Sequence, residues 1–222
     1  MESVIKCHDS KINGLTIYDK SILTVGSDQY CKQTDIETEQ VVSEIGYTSV
    51  PLKIEFYPDN QFIMTTDNFG NIFLNDFRAK VGRIQMIDNS TSPVSCIIKN
   101  EYDFVFFDYE KNSRIVDFRN NEIIVIKRLK EVVNCGVSSK NSKYIITADK
   151  NINLYNKYNL ELKMVHPIQK GQIHAMTRVG NSLFTGGFDC EIKVILLAIF
   201  GCAKWIISWF IKSISLFEFY FS

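Results

Sequence analysis

The sequence predicts an all-β chain made of small antiparallel sheets repeated end to end. Three observations predict it. Short apolar runs alternate with polar residues at a period of two, turn-forming Gly, Pro, Asn and Asp separate the runs, and the whole pattern returns about every 40 residues. Superposing the units on the residue that ends each third run gives positions 35, 76, 117 and 156, with 196 as the next expected slot. The steps of 41, 41, 39 and 40 are too regular for chance alternation.

The first unit, about residues 3–42, carries Ile12 and Leu15, then Leu23-Thr-Val-Gly-Ser-Asp28, then Cys31-Lys-Gln-Thr-Asp35. Three short runs separated by turn residues mark an antiparallel meander. The second, about 43–83, runs through Ile54, Phe56, Phe62–Thr66, Gly70 and Ile72–Leu74, with Pro58-Asp59-Asn60 as the turn between its first two strands. Proline presets φ there, and Asp or Asn tolerates the tight bend.

The third unit, about 84–126, holds Val94, Cys96-Ile97, Phe104–Phe107 and Ile115-Val116, and the fourth, about 127–165, holds Cys135, Val137, Tyr144–Thr147, Ile152 and Leu154. The fifth, about 166–195, runs from Ile173 and Met176 through Leu183–Asp189 to Ile192–Val194. There the repeat stops.

Composition bounds the function. The 222 residues are 45% hydrophobic and 23% charged, enough for a sizeable core and too polar for a chain embedded throughout in lipid. Lys plus Arg equals Asp plus Glu at 25 each, so no net field draws the chain to nucleic acid. The six cysteines form no C-x-x-C pair, which argues against a zinc site or a disulfide framework and for apolar fillers in a reducing compartment. The first eight residues lack the basic-then-apolar pattern of a signal peptide, so the expected location is cytoplasmic.

Three-stranded runs at this period resemble the WD-repeat family, whose unit contains a Gly-His, a Gly-Ser-x-Asp turn and a final Trp-Asp. The resemblance covers residues 3 to about 195. Cys7-His8 and Gly46-Tyr47 stand at the Gly-His slots of the first two units, and the inter-strand acid slot reads Asp28, Phe69, Glu110, Asp149 and Asp189. The Trp slot reads Thr34, Asn75, Val116, Tyr155 and Ile195.

The resemblance implies a β-propeller of about five four-stranded blades, two fewer than the family's usual seven. It also implies a structural ladder in which His8 bonds to Thr24 or Ser27 and to Asp28, with Asp149 and Asp189 at the acid slot of later blades. Sequence units in this family are offset from blades, which implies that Ser3–Lys6 forms the outermost strand of the last blade and closes the ring.

After Val194 the sequence becomes strongly apolar, from Ile195 to Ile211, and the tail of residues 196–222 is expected to be helical. A helix from Val194 to Ile211 would span about 27 Å, which admits a membrane anchor, although Lys204 opposes burial in lipid. The reading preferred over the anchor is a divergent or truncated C-terminus, because the change falls at the slot where the resemblance expects Trp.

No catalytic or cofactor-binding constellation is legible. His8, His166 and His174 have no metal-ligand spacing, and neither a phosphate loop nor a nucleophile elbow appears. The expected function is therefore a non-enzymatic scaffold whose loops bind a protein or peptide, with no cofactor. Asp76-Phe-Arg78 and Asp117-Phe-Arg119 recur at one slot in successive units. They resemble the Trp-Asp-x-Arg motif of substrate receptors of cullin-type ubiquitin ligases, which implies a second possible role. The third is a membrane-tethered scaffold.

Overall fold

The computed structural model describes residues 4–56, 62–76, 83–89, 92–100, 102–117, 119–120, 122–139, 143–167, 171–197 and 214–215. Among the described residues, twenty strands form five four-stranded antiparallel sheets, each a meander of consecutive strands. The first sheet is β1 (Ile12–Tyr18), β2 (Ser21–Gly26), β3 (Tyr30–Asp35) and β4 (Val41–Gly46). The second is β5 (Pro51–Phe56), β6 (Ile63–Asp67), β7 (Asn71–Asn75) and β8 (Arg83–Asn89). The third is β9 (Val94–Lys99), β10 (Asp103–Asp108), β11 (Asn112–Asp117) and β12 (Glu122–Arg128). The fourth is β13 (Cys135–Ser138), β14 (Tyr144–Ala148), β15 (Asn151–Asn156) and β16 (Leu162–Pro167). The fifth is β17 (Ile173–Val179), β18 (Ser182–Gly187), β19 (Glu191–Leu196) and β20 (Ile214–Ser215).

The sheets are blades of a β-propeller, with inner strands β1, β5, β9, β13 and β17 neighbouring one another in that order. Each blade hides one face of alternating side chains against the next. Leu23, Val25, Cys31 and Ile45 of blade 1 pack on Ile54, Phe56, Ile63 and Phe73 of blade 2. Met64, Ile72 and Leu74 leave the other face of blade 2 for Phe104, Phe106 and Val116 of blade 3. Val105, Phe107 and Ile115 meet Ile145 and Tyr155 of blade 4, and Ile146, Ala148 and Ile152 meet Ile173, Leu183 and Ile195 of blade 5. Stability therefore accumulates seam by seam, each fully buried large side chain contributing about 1.5–3 kcal/mol.

The turn between the second and third strands repeats as closely as the strands do. In blades 1, 2, 3 and 5 the residue before the third strand takes positive φ: Gln29 (70°), Gly70 (88°), Lys111 (71°) and Cys190 (59°). Its N–H donates to the carbonyl of the residue ending the second strand, at Gly26, Asp67, Asp108 and Gly187, over 3.1–3.2 Å. Only Gly70 adopts that left-handed conformation without a Cβ penalty. In blade 4 the turn shrinks to Asp149 and Lys150, and the repeat step shortens with it.

The fourth strand of the last blade differs from the expectation. Val4, Ile5 and Lys6 lie outside any strand, and the edge of β19 is taken by β20, in which Ile214 faces Ile192 and Ser215 faces Glu191. Two residues of the tail are thus strand. The helix expected of the tail falls for the rest on residues 198–213 and 216–222, outside the described residues. Among the described residues no helix is long and apolar enough to cross a membrane.

Candidate interaction surface

Blade 1 holds a ladder around His8, whose ring is buried against its sheet. Nδ1 lies 2.9 Å from both carboxylate oxygens of Asp28, and Nε2 lies 2.8 Å from the Thr24 hydroxyl. Gly26 is part of the device, because a Cβ there would sit 2.5 Å from His8 Nδ1. Burial opposes ionisation of Asp28, but hydrogen bonds from His8 and from the Asp9 N–H outweigh it and hold the carboxyl below its ordinary range. Exposed Ser27 points elsewhere, exchanging hydrogen bonds with half-buried Asn13.

Blade 2 carries a variant of the ladder that the sequence reading missed. The Tyr47 hydroxyl is 2.9 Å from Thr65 Oγ1, and Asn75 Nδ2 donates to the same oxygen at 2.9 Å. Asn75 occupies the slot where the family places Trp, so its amide supplies the N–H that an indole would. All five residues of that slot, Thr34, Asn75, Val116, Tyr155 and Ile195, are buried. The slot is a packing position in every blade.

Two further carboxylates were also missed. Asp67 and Asp108, 41 residues apart, end β6 and β10 and each accepts hydrogen bonds from the backbone N–H and side-chain amide of the Asn four residues on, Asn71 and Asn112. Asp67 also accepts from Ser49 at 2.6 Å, and Asp108 from Arg114 at 2.7 Å. The recurrence of Asp-x-x-x-Asn at one repeat step was the signal. Asp149 accepts the Asn151 N–H, and Asp189 pairs with Lys193 at 2.9 Å. These acids tie turns to strands.

Arg119 folds back on its own unit. Its Nε donates to Asp117 at 2.9 Å, its second terminal nitrogen pairs with the same carboxylate, and its guanidinium lies 5.6 Å from the centre of the Tyr102 ring. That pairing holds the Asp117 carboxyl at about 2. Asp76 is buried, while Arg78 lies outside the described residues.

The inner strands begin with a shared irregularity, a bulge at Asn13, Leu52, Ser95 and His174 and its counterpart Asn134 just before β13. A bulge turns a side chain out of the sheet plane, and here it turns toward the next blade. Asn13 donates to the Pro51 carbonyl at 3.0 Å, Ser95 to that of Val133 at 2.7 Å, and Asn134 to that of Ile173 at 3.0 Å. Three of the four seams are clamped in this way; Leu52 has no donor to offer the remaining one.

Three members of that row, Ser95, Asn134 and His174, line a cleft of about 180 Å³ where β5, β9, β13 and β17 converge, with Lys53 and Glu55 also on its walls. Burial raises the Glu55 carboxyl above its ordinary range, and Lys99 partly opposes that. Cys96 and Cys135 also face it. Burial pushes the Cys135 thiol up to about 12 and the Cys96 thiol further, so both stay protonated at neutral pH and neither is an activated nucleophile. The arrangement offers both signs of charge, amide donors and acceptors to a ligand.

The sequence matches no family profile and no curated protein. Among solved structures the chain is similar to the computationally designed Ika8 protein, with a TM-score of 0.70 and 14% identity. The match covers 85% of this chain and 59% of that one, so the chain spans less than two thirds of the designed protein. At that identity the likeness carries the propeller fold.

Proposed function

We propose that the chain is a divergent WD-repeat propeller that works as a non-enzymatic protein-interaction scaffold, taking a peptide segment of its partner at the central cleft. The single observation behind this reading is the convergence of four inner strands on one cleft lined by Lys53, Glu55, Ser95, Asn134 and His174. Rigid blades fix those side chains, and a cleft with mixed charge and amides suits a peptide's own alternation of charge and backbone polarity. The His8–Thr24–Asp28 ladder and the near-constant step of about 40 residues favour the WD-repeat assignment.

Panning a random peptide library on the folded chain tests this reading. Enriched peptides should bind the unaltered chain, and Glu55→Lys, which reverses one wall of the cleft, should weaken them about tenfold, or about 1.4 kcal/mol. Peptides that bind both chains equally, or no enrichment over a blank surface, would overturn the proposal.

A further inference from the structure

Four apolar clusters fill four seams, and among the described residues none joins blade 5 to blade 1. The face of blade 1 turned away from blade 2 carries Leu15 and Ile17, 55% and 60% exposed. The face of blade 5 turned away from blade 4 carries Val179, 65% exposed, with exposed Ala175 and Ile192 beside half-buried Phe184. In blade 3 the corresponding inner-strand residues, Cys96 and Ile98, are 6% and 2% exposed because blade 4 covers them.

The clamp row tells the same story at atomic scale. Asn13, Ser95 and Asn134 each donate to the carbonyl at the start of the next blade. His174 holds that position in blade 5, where it is exposed and lies edge-on to exposed Phe188, 4.2 Å between ring centres. The acceptor in the first blade at the register of Pro51 and Ile173 is the Ile12 carbonyl.

We propose that the open face of blade 5 docks on the open face of blade 1 of a second copy, head to tail, with His174 donating to the Ile12 carbonyl of that copy. Both halves of the interface are present on one chain, and the contact continues the seam already built four times within it. Charge agrees: the Leu15–Ile17 face has Lys32 neutralised by Glu44 at 3.9 Å, and the blade 5 face presents Ala175, Thr177, Val179 and Phe184, all uncharged. A contact between unlike faces lets copies add in series unless the rotation closes. The contact shares His174 with the central cleft and uses none of Lys53, Glu55, Ser95 or Asn134; Ile17 and Val179 lie outside the cleft, so association and peptide binding are read separately.

Ile17→Lys and Val179→Lys test it, because both side chains are exposed in the single chain and a lysine at either leaves the fold intact, which circular dichroism verifies. Light scattering on the full chain should give a mass that rises with concentration. Each variant alone should associate about tenfold more weakly or less, since a lysine must be desolvated at the seam. An equimolar mixture of the two retains one undamaged pair of faces and should stop at twice the monomer mass. A chain that stays monomeric, or a mixture that behaves as either variant alone, overturns the proposal.

Discussion

At the scale of single residues, the buried charges of this protein are fasteners for turns. Asp108 is the clearest case, with its side chain 1% exposed and Arg114 beside it 9% exposed. Removing one member of such a pair strands the other in a dry site, which costs about 3–5 kcal/mol, whereas removing both costs less. Asp108→Ala should therefore lower the denaturant midpoint far more than the Asp108→Ala, Arg114→Met double variant does, as urea unfolding would register. Equal losses would mean that the pair contributes its attraction alone. The positions of these acids were half legible: Asp28 and Asp189 stood out at a family slot, but Asp67 and Asp108 lie two residues earlier and became visible only when their Asn partners were seen to receive them.

At the scale of elements, the strand pattern was readable because alternation has one physical cause, a sheet with a covered face. The turn preceding each third strand was less so. It demands positive φ, yet the residues there are Gln29, Gly70, Lys111 and Cys190, and three of these four give no sequence signal for it. Gly70→Ala should destabilise by about 1–2 kcal/mol, because φ of 88° places a Cβ against its own backbone. Gln29→Gly at the equivalent turn should be neutral or stabilising. Thermal unfolding of the two variants checks the pair, and a loss for both would mean that the turn is held by side chains instead of backbone preference.

At the scale of the whole molecule, each blade leans only on its neighbours, so stability should grade along the chain. Blade 3 is covered on both faces, and every residue of β10 is buried, whereas most residues of β17 are exposed or half-buried. Hydrogen exchange followed by mass spectrometry on dilute chain should find the amides of β10 and β11 slowest and those of β1 and β17 fastest. Uniform protection from blade 1 to blade 5 would point instead to one cooperative ring with its last seam filled. The central cleft also belongs to this scale, since its walls come from residues as distant as Lys53 and His174.

The sequence alone determined the period, the strands and the all-β class, because repetition and alternation are properties of the chain in one dimension; the propeller was implied by the family that those repeats resemble. Tertiary structure decided the rest. Which residue a bulge turns toward a neighbour, which edge the tail strand takes, which acids become buried and which two faces stay bare all depend on how separate blades meet. A local pattern fixes which side of a strand is apolar; only the packed assembly fixes what covers it.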